Sequence, residues 1–165
     1  DPDHLEVLEA SMRANLNRRL ATDLTPIAGA TEALAALSHY PMGVVSNGPE
    51  NKVRTSLATV GLTEVFGNRL FSGYTANCWK PDPCLYLHAA SIMGFAAEDC
   101  IAIDDAIVGV NAALAAGMTV VHLNRFADAE ETPEGAHMIT SMFQLPTVIS
   151  RLQKDRDRHA MLSSG

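Results

Sequence analysis

From residue 42 onward, short apolar runs alternate with stretches whose apolar residues recur at helical spacing. Met42 to Ser46 is the first such run. The stretch Pro49 to Val60 then places Val53, Leu57 and Val60 on one helical face and stops at Gly61. The alternation continues with a strand at Leu70 to Ser72, a helix from Pro83 to Met93 stopped by Gly94, and a strand at Cys100 to Ile103. A helix from Ile107 to Ala116, stopped by Gly117, leads to a fourth strand at Met118 to Leu123. Strands apolar on both faces and separated by helices predict an α/β domain: a Rossmann-like parallel sheet with helices on both faces. Asn124 to Gly135 reads as a polar loop, His137 to Thr140 as a last short strand and Leu145 to Lys154 as a closing helix.

Upstream of that block the pattern changes. Leu5, Leu8, Met12, Leu16 and Leu20 form the stripe of an amphipathic helix over Asp3 to Thr22. The segment Asp23 to Gly29, with Pro26, reads as a linker and domain boundary, and Thr31 to His39 as a short Ala/Leu helix.

Composition narrows the class. With 165 residues, 47% of them hydrophobic, the chain suffices for one compact core burying roughly 70% of its unfolded surface. The net charge of −7, with no basic stripe outside the mixed-charge tail Arg151 to Arg158, argues against nucleic acid and membrane surfaces as partners. No run reaches spanning length and no signal-type start is present, so a cytoplasmic location is expected. Cys78, Cys84 and Cys100, odd in number and without metal-type spacing, read as reduced thiols.

In open parallel sheets ligands bind beyond the carboxyl ends of the strands, so the polar residues ending each strand are the candidates. The first strand runs into Ser46-Asn47-Gly48-Pro49, offering a hydroxyl and an amide at a helix start. That turn suits an oxyanion, although Ser46 or Asn47 could equally cap the helix. Past the second strand, Trp79-Lys80-Pro81-Asp82-Pro83 sets an ammonium on the same rim, where it is either a solvated surface charge or a neutraliser of phosphate. The third strand ends in Asp104-Asp105. Adjacent carboxylates repel by up to ~4 kcal/mol at 4 Å separation, which a divalent metal relieves. The alternative is a helix cap and first-turn acid. Gly109, Ala112, Ala113 and Ala116 let the next helix approach the sheet closely.

Taken together, Ser46-Asn47-Gly48, Lys80-Pro81-Asp82-Pro83 and Asp104-Asp105, with Gly109 and Ala115-Ala116-Gly117-Met118, resemble the second, third and fourth motifs of the haloacid dehalogenase-like hydrolase superfamily. The resemblance runs from about Leu24 to Leu145 and looks closest to the sugar-phosphate phosphatases; Val45-Ser46-Asn47-Gly48-Pro49, Leu70-Phe71-Ser72-Gly73-Tyr74 and Trp79-Lys80-Pro81-Asp82-Pro83 resemble the 6-phosphogluconate phosphatase branch. It implies that Ser46, Asn47 and Gly48 bind the phosphoryl group and that Lys80 ties phosphate to nucleophile. It also implies that Asp104 and Asp105 hold Mg²⁺. The expected activity is Mg²⁺-dependent hydrolysis of a small phosphorylated metabolite through an aspartyl-phosphate. Residues 1–23 would be the last helix of a helical cap and 24–165 the core domain.

The sequence departs from that pattern in two places. It contains no Asp-x-Asp-Gly-Thr segment, which in the superfamily ends the central first strand and supplies the nucleophile, and Ala106 stands where a serine is frequent. The expectation is therefore the C-terminal part of a longer protein, with the nucleophile outside this sequence. Its sheet would lack the central strand and expose two unpaired edges prone to self-association. A haloacid dehalogenase and a non-catalytic phospho-ligand-binding module are the alternatives.

Overall fold

In the computed structural model, residues 23–163 are described. The helix expected over Asp3 to Thr22, and with it the cap assignment, lies outside the described residues. The chain order is α1 (Ala30–Ala36), β1 (Val44–Ser46), α2 (Glu50–Thr59), α3 (Thr63–Phe66), β2 (Leu70–Ser72), α4 (Gly73–Ala76), α5 (Cys84–Met93), β3 (Ile101–Asp104), α6 (Ile107–Ala115), β4 (Thr119–Leu123), β5 (Ala136–Ile139) and α7 (Leu145–Ser163).

Local chemistry explains most boundaries. Gly94 and Gly117 take φ of 81° and 79°, the left-handed turn that closes α5 and precedes β4. Pro49 stands at the N-cap of α2 with φ −60°, the value its ring imposes. The four-residue helices α3 and α4 are too short to carry a period, so the hydrophobic pattern does not foretell them. Helix α7 continues past Lys154 to Ser163 through charged residues and the exposed Met161 and Leu162, so no buried apolar stripe marks the extension. Val53, Leu57 and Val60, expected to face inward, are only half-buried, and α2 buries no residue fully.

The sheet is parallel but in two pieces. β1 pairs with β2, Val45 opposite Phe71. β3, β4 and β5 form the second piece, with Asp104 opposite His122 and Val121 opposite His137. No described strand joins the two pieces. Helix α5 bridges them: Leu85 and Ala89 pack with Phe71 of β2, while Tyr86 and Ala90 join α6, Ala102 and Val120. Val45 touches both clusters. On the opposite face, α1 and α7 cover Val121, Leu123 and Ile139 with Ala33, Leu37, Leu145, Ile149 and Leu152. Helices thus lie on both faces, as the pattern requires. Ile103 is 40% exposed, an apolar strand residue without cover at the break.

Cys100 is a free thiol, while Cys78 and Cys84, also read as reduced thiols, are set side by side at a separation that permits a disulfide between them. The intervening turn, in which Asp82 N–H donates to Trp79 O and Cys84 N–H to Asp82 Oδ1, folds the chain back on itself. It leaves the two Cα atoms 6.0 Å apart, within disulfide range. No helix among the described residues is long and apolar enough to cross a membrane.

Candidate functional site

The turn after β1 is fastened to the end of β2. Ser46 Oγ accepts from Gly48 N–H at 3.0 Å, and Gly48 O accepts from the buried Ser72 hydroxyl at 2.7 Å. Ser72 Oγ in turn accepts from Tyr74 N–H at 3.2 Å, capping α4. Asn47 reaches across to the next loop: its Oδ1 accepts from Lys80 N–H at 2.8 Å and its Nδ2 donates to Lys80 O at 3.0 Å. Neither Ser46 nor Asn47 caps α2, whose N-cap receives no side-chain bond. The helix-cap alternative for these residues is therefore set aside.

With its backbone held at both polar groups, Lys80 directs its ammonium to Asp104 Oδ2 at 2.7 Å. The two side chains are only 10% and 9% exposed, so Lys80 is no surface charge. Asp104 Oδ2 also accepts from the Tyr86 hydroxyl at 2.8 Å, and Oδ1 accepts from Ala106 N–H at 2.9 Å. The Lys80 ammonium lies 5.4 Å from the centre of the Tyr86 ring. Three donors on one carboxylate stabilise its charge at a site where water is largely excluded. Asp104 does not cap α6: Ala106, the N-cap residue, supplies the N–H it accepts, and no side chain caps the helix itself. Gly109 passes so close that a Cβ there would overlap the Asp104 carboxyl group. The small residue at 109 therefore makes room for a side chain of the site as well as for the sheet.

Asp105 points elsewhere. Its side chain is 51% exposed and, among the described residues, meets only the long 3.4 Å approach of Arg125 Nη2, itself 43% exposed. Among the described residues, most of its lone pairs, and one on Asp104 Oδ1, accept no bond. Two oxygen donors on adjacent residues suit a hard divalent cation such as Mg²⁺, which typically takes one or two carboxylates and keeps several waters. The donor set fits.

The structure thus unites Asn47, Lys80 and Asp104 directly, brings in Ser46 and Gly48 through the turn that carries Asn47, and leaves Asp105 at the mouth. Tyr86 and Ser72 were missed by sequence reasoning. Ser72 was within reach, since it is the residue that ends β2 and the strand-end rule selects it. Tyr86 offered only one signal, a polar-tipped aromatic in the apolar first turn of α5.

Burial, then the charge of Asp104 and the bond to it, hold the Tyr86 proton well above the ordinary tyrosine value. Below pH 10 both folded and unfolded chains keep that proton, so Tyr86 adds no pH dependence. Above it the unfolded chain loses a proton the folded chain retains, and stability falls as pH rises. Tyr86→Phe is expected to cost about 1.5–3 kcal/mol at neutral pH, the loss of one hydrogen bond to a charged group. Its stability should also decline less steeply than wild type in urea titrations run above about pH 10. Parallel decline of the two curves would refute the assignment.

A model of haloacid dehalogenase-like hydrolases matches residues 3–117. The chain is 42% identical over 110 residues to 6-phosphogluconate phosphatase of Escherichia coli (strain K12), covering 67% of this chain and 49% of that protein. It is 32% identical over 149 residues to hexitol phosphatase A of the same organism, covering 83% of this chain and 66% of that one. It therefore spans between about half and two thirds of the length of these relatives. Among solved structures, a hydrolase from Deinococcus radiodurans R1 with bound phosphate and sodium superposes with a TM-score of 0.71 at 30% identity. The match covers 92% of this chain and 68% of that one.

Proposed function

Because this chain belongs to the haloacid dehalogenase-like hydrolases, we propose that it carries the phosphate-handling and metal-binding part of a phosphatase for small sugar or sugar-acid phosphates. The observation that carries the reading is the continuous contact path Asn47–Lys80–Asp104, which sets a buried, fixed cation at the carboxyl ends of the strands. The phosphatase relatives and the phosphate in the Deinococcus structure support the same chemistry.

In this reading the substrate phosphoryl group lies over the turn at residues 46–48. Ser46 Oγ accepts from Gly48 N–H, which leaves its own proton free to donate to a phosphoryl oxygen. Asn47 spends one N–H on Lys80 O and keeps the second. One Lys80 proton is committed to Asp104, and the remaining two serve the phosphoryl oxygens and the attacking carboxylate. Asp104 holds the ammonium in place and Tyr86 holds Asp104. Charge stabilisation of this kind supplies most phosphoryl-transfer catalysis. Asp105, with Asp104 Oδ1, would hold Mg²⁺. That ion, when bound, neutralises charge building on the transferring oxygens. The nucleophile, an aspartate forming an aspartyl-phosphate, belongs to a strand outside this sequence that fits between the two pieces of the sheet. The exposed Ile103 and the half-buried Val44 and Val45 favour such a strand there.

The test is phosphate release by the full-length protein from p-nitrophenyl phosphate, 6-phosphogluconate and a hexitol phosphate. Activity is expected to vanish with a chelator and return with Mg²⁺. Asp105→Asn should weaken the Mg²⁺ requirement curve by about 10–100-fold. Turnover that persists without a divalent ion would overturn the metal assignment and favour a carboxylate substrate of the dehalogenase type.

A further inference from the structure

Cys78 and Cys84 bracket the loop that carries Lys80, with their Cα atoms 6.0 Å apart, a separation a disulfide can span. Besides the Lys80–Asp104 ion pair at 2.7 Å, the loop is anchored by Asn47 on the Lys80 backbone, by Cys78 N–H donating to Gly73 O and Asp82 N–H to Trp79 O, both at 3.0 Å, and by Cys84 N–H donating to Asp82 Oδ1 at 2.9 Å. Both cysteines are half-buried, within reach of a small reagent, and Asp82 between them is exposed. Cys84 opens the ten-residue helix α5, and an Asp82 carboxylate oxygen lies within 4.8 Å of both sulfurs. Cys100 lies apart, donating to Ala96 O, and burial raises its thiol above the usual range.

We infer that Cys78 and Cys84 are a reversible thiol–disulfide modification site that fastens or releases the Lys80 loop. The oxidant class is a low-molecular-weight disulfide. The Cys84 thiolate attacks one of its sulfurs, forming a mixed disulfide and expelling one thiolate. The Cys78 thiolate then attacks the Cys84 sulfur and expels the second. The protein gives up two electrons and two protons, and the small disulfide becomes two thiols. Reduction by a dithiol reverses the exchange. In the oxidised form the covalent ring holds Lys80 against Asn47 and Asp104. In the reduced form only the hydrogen bonds do so. Nothing in this step depends on the phosphatase reading.

The experiment equilibrates the full-length protein in buffers of graded reduced and oxidised glutathione, traps free thiols with iodoacetamide and maps them by peptide mass. Cys78 and Cys84 are expected to lose alkylation together along one transition while Cys100 stays alkylated. Amide hydrogen exchange at Lys80, whose N–H donates to Asn47, should be roughly tenfold slower in the oxidised chain, reflecting loss of loop freedom. The double variant Cys78→Ser/Cys84→Ser should exchange at the reduced rate in every buffer, and Cys100→Ser should respond as wild type. Independent alkylation of the two cysteines, pairing of either with Cys100, or equal Lys80 exchange in both forms would each overturn the proposal.

Discussion

Asp104→Asn is expected to lower the unfolding free energy by about 3–5 kcal/mol, the range for removing one partner of a buried ion pair. The size follows from the donors around it. Lys80 and Tyr86 both donate to Oδ2, and Ala106 N–H donates to Oδ1. Asparagine offers one acceptor oxygen and one donor amide. If the oxygen faces Lys80 and Tyr86, the amide opposes Ala106 N–H. If it is turned round, the amide opposes both Lys80 and Tyr86. In either orientation the ammonium, 90% shielded, loses its counter-charge. Small domains are stable by only about 5–15 kcal/mol, so the variant should show a much lower urea midpoint. A cycle with Lys80→Met separates the pair from its surroundings. The double variant Lys80→Met/Asp104→Asn should recover part of the loss, since an unpaired ammonium is no longer buried. A cost under about 1 kcal/mol would mark the pair as no more than a surface salt bridge and remove the basis of the proposed site.

Gly109→Ala tests the same carboxylate from the helix side, and the sign is the informative part. Alanine replacing glycine within a helix ordinarily stabilises by up to about 1 kcal/mol. Here the new methyl would occupy the space of the Asp104 carboxyl. Either the carboxyl rotates away from Lys80 and Tyr86 or α6 shifts from β3, and overpacking of that kind costs about 1–3 kcal/mol. The net expectation is destabilisation by about 2 kcal/mol, with activity of the full-length protein reduced through the misplaced Lys80. Asn111→Ala, an exposed position of the same helix, provides the control and should be neutral or mildly stabilising. If Gly109→Ala stabilises as Asn111→Ala does, Asp104 does not occupy the place the structure gives it.

Much of the fold can be read along the chain because it rests on local periodicity. β2 spans the residues the apolar run marks, β3 is displaced by one residue, and β4 starts one residue later than its run and ends with it. The stops at Gly94 and Gly117 hold because only a left-handed turn fits there. Where neighbours along the sequence do not decide, the reading falls short. The outward half of α2, the helices α3 and α4 and the far end of α7 fall in that class.

The candidate site divides along the same line. Sequence by itself determined which residues sit at the strand ends: Ser46, Asn47, Gly48, Asp104 and Asp105 lie at or just beyond them, while Lys80 follows β2 in the loop after α4. Order and spacing suffice for that, since a strand end is a local property. What each residue does there was decided by tertiary structure. Asn47 clamps a backbone 33 positions away, Lys80 pairs with a residue 24 positions on, and Tyr86 binds one 18 positions on. Adjacent acids that look equivalent in sequence are separated into a buried anchor for lysine and an exposed carboxylate. Two cysteines are brought together by a turn whose path is set by hydrogen bonds to Trp79 and Asp82. The physical reason is common to all of these: burial, charge pairing and sulfur proximity depend on which segments the sheet and α5 bring together, and no single segment carries that information.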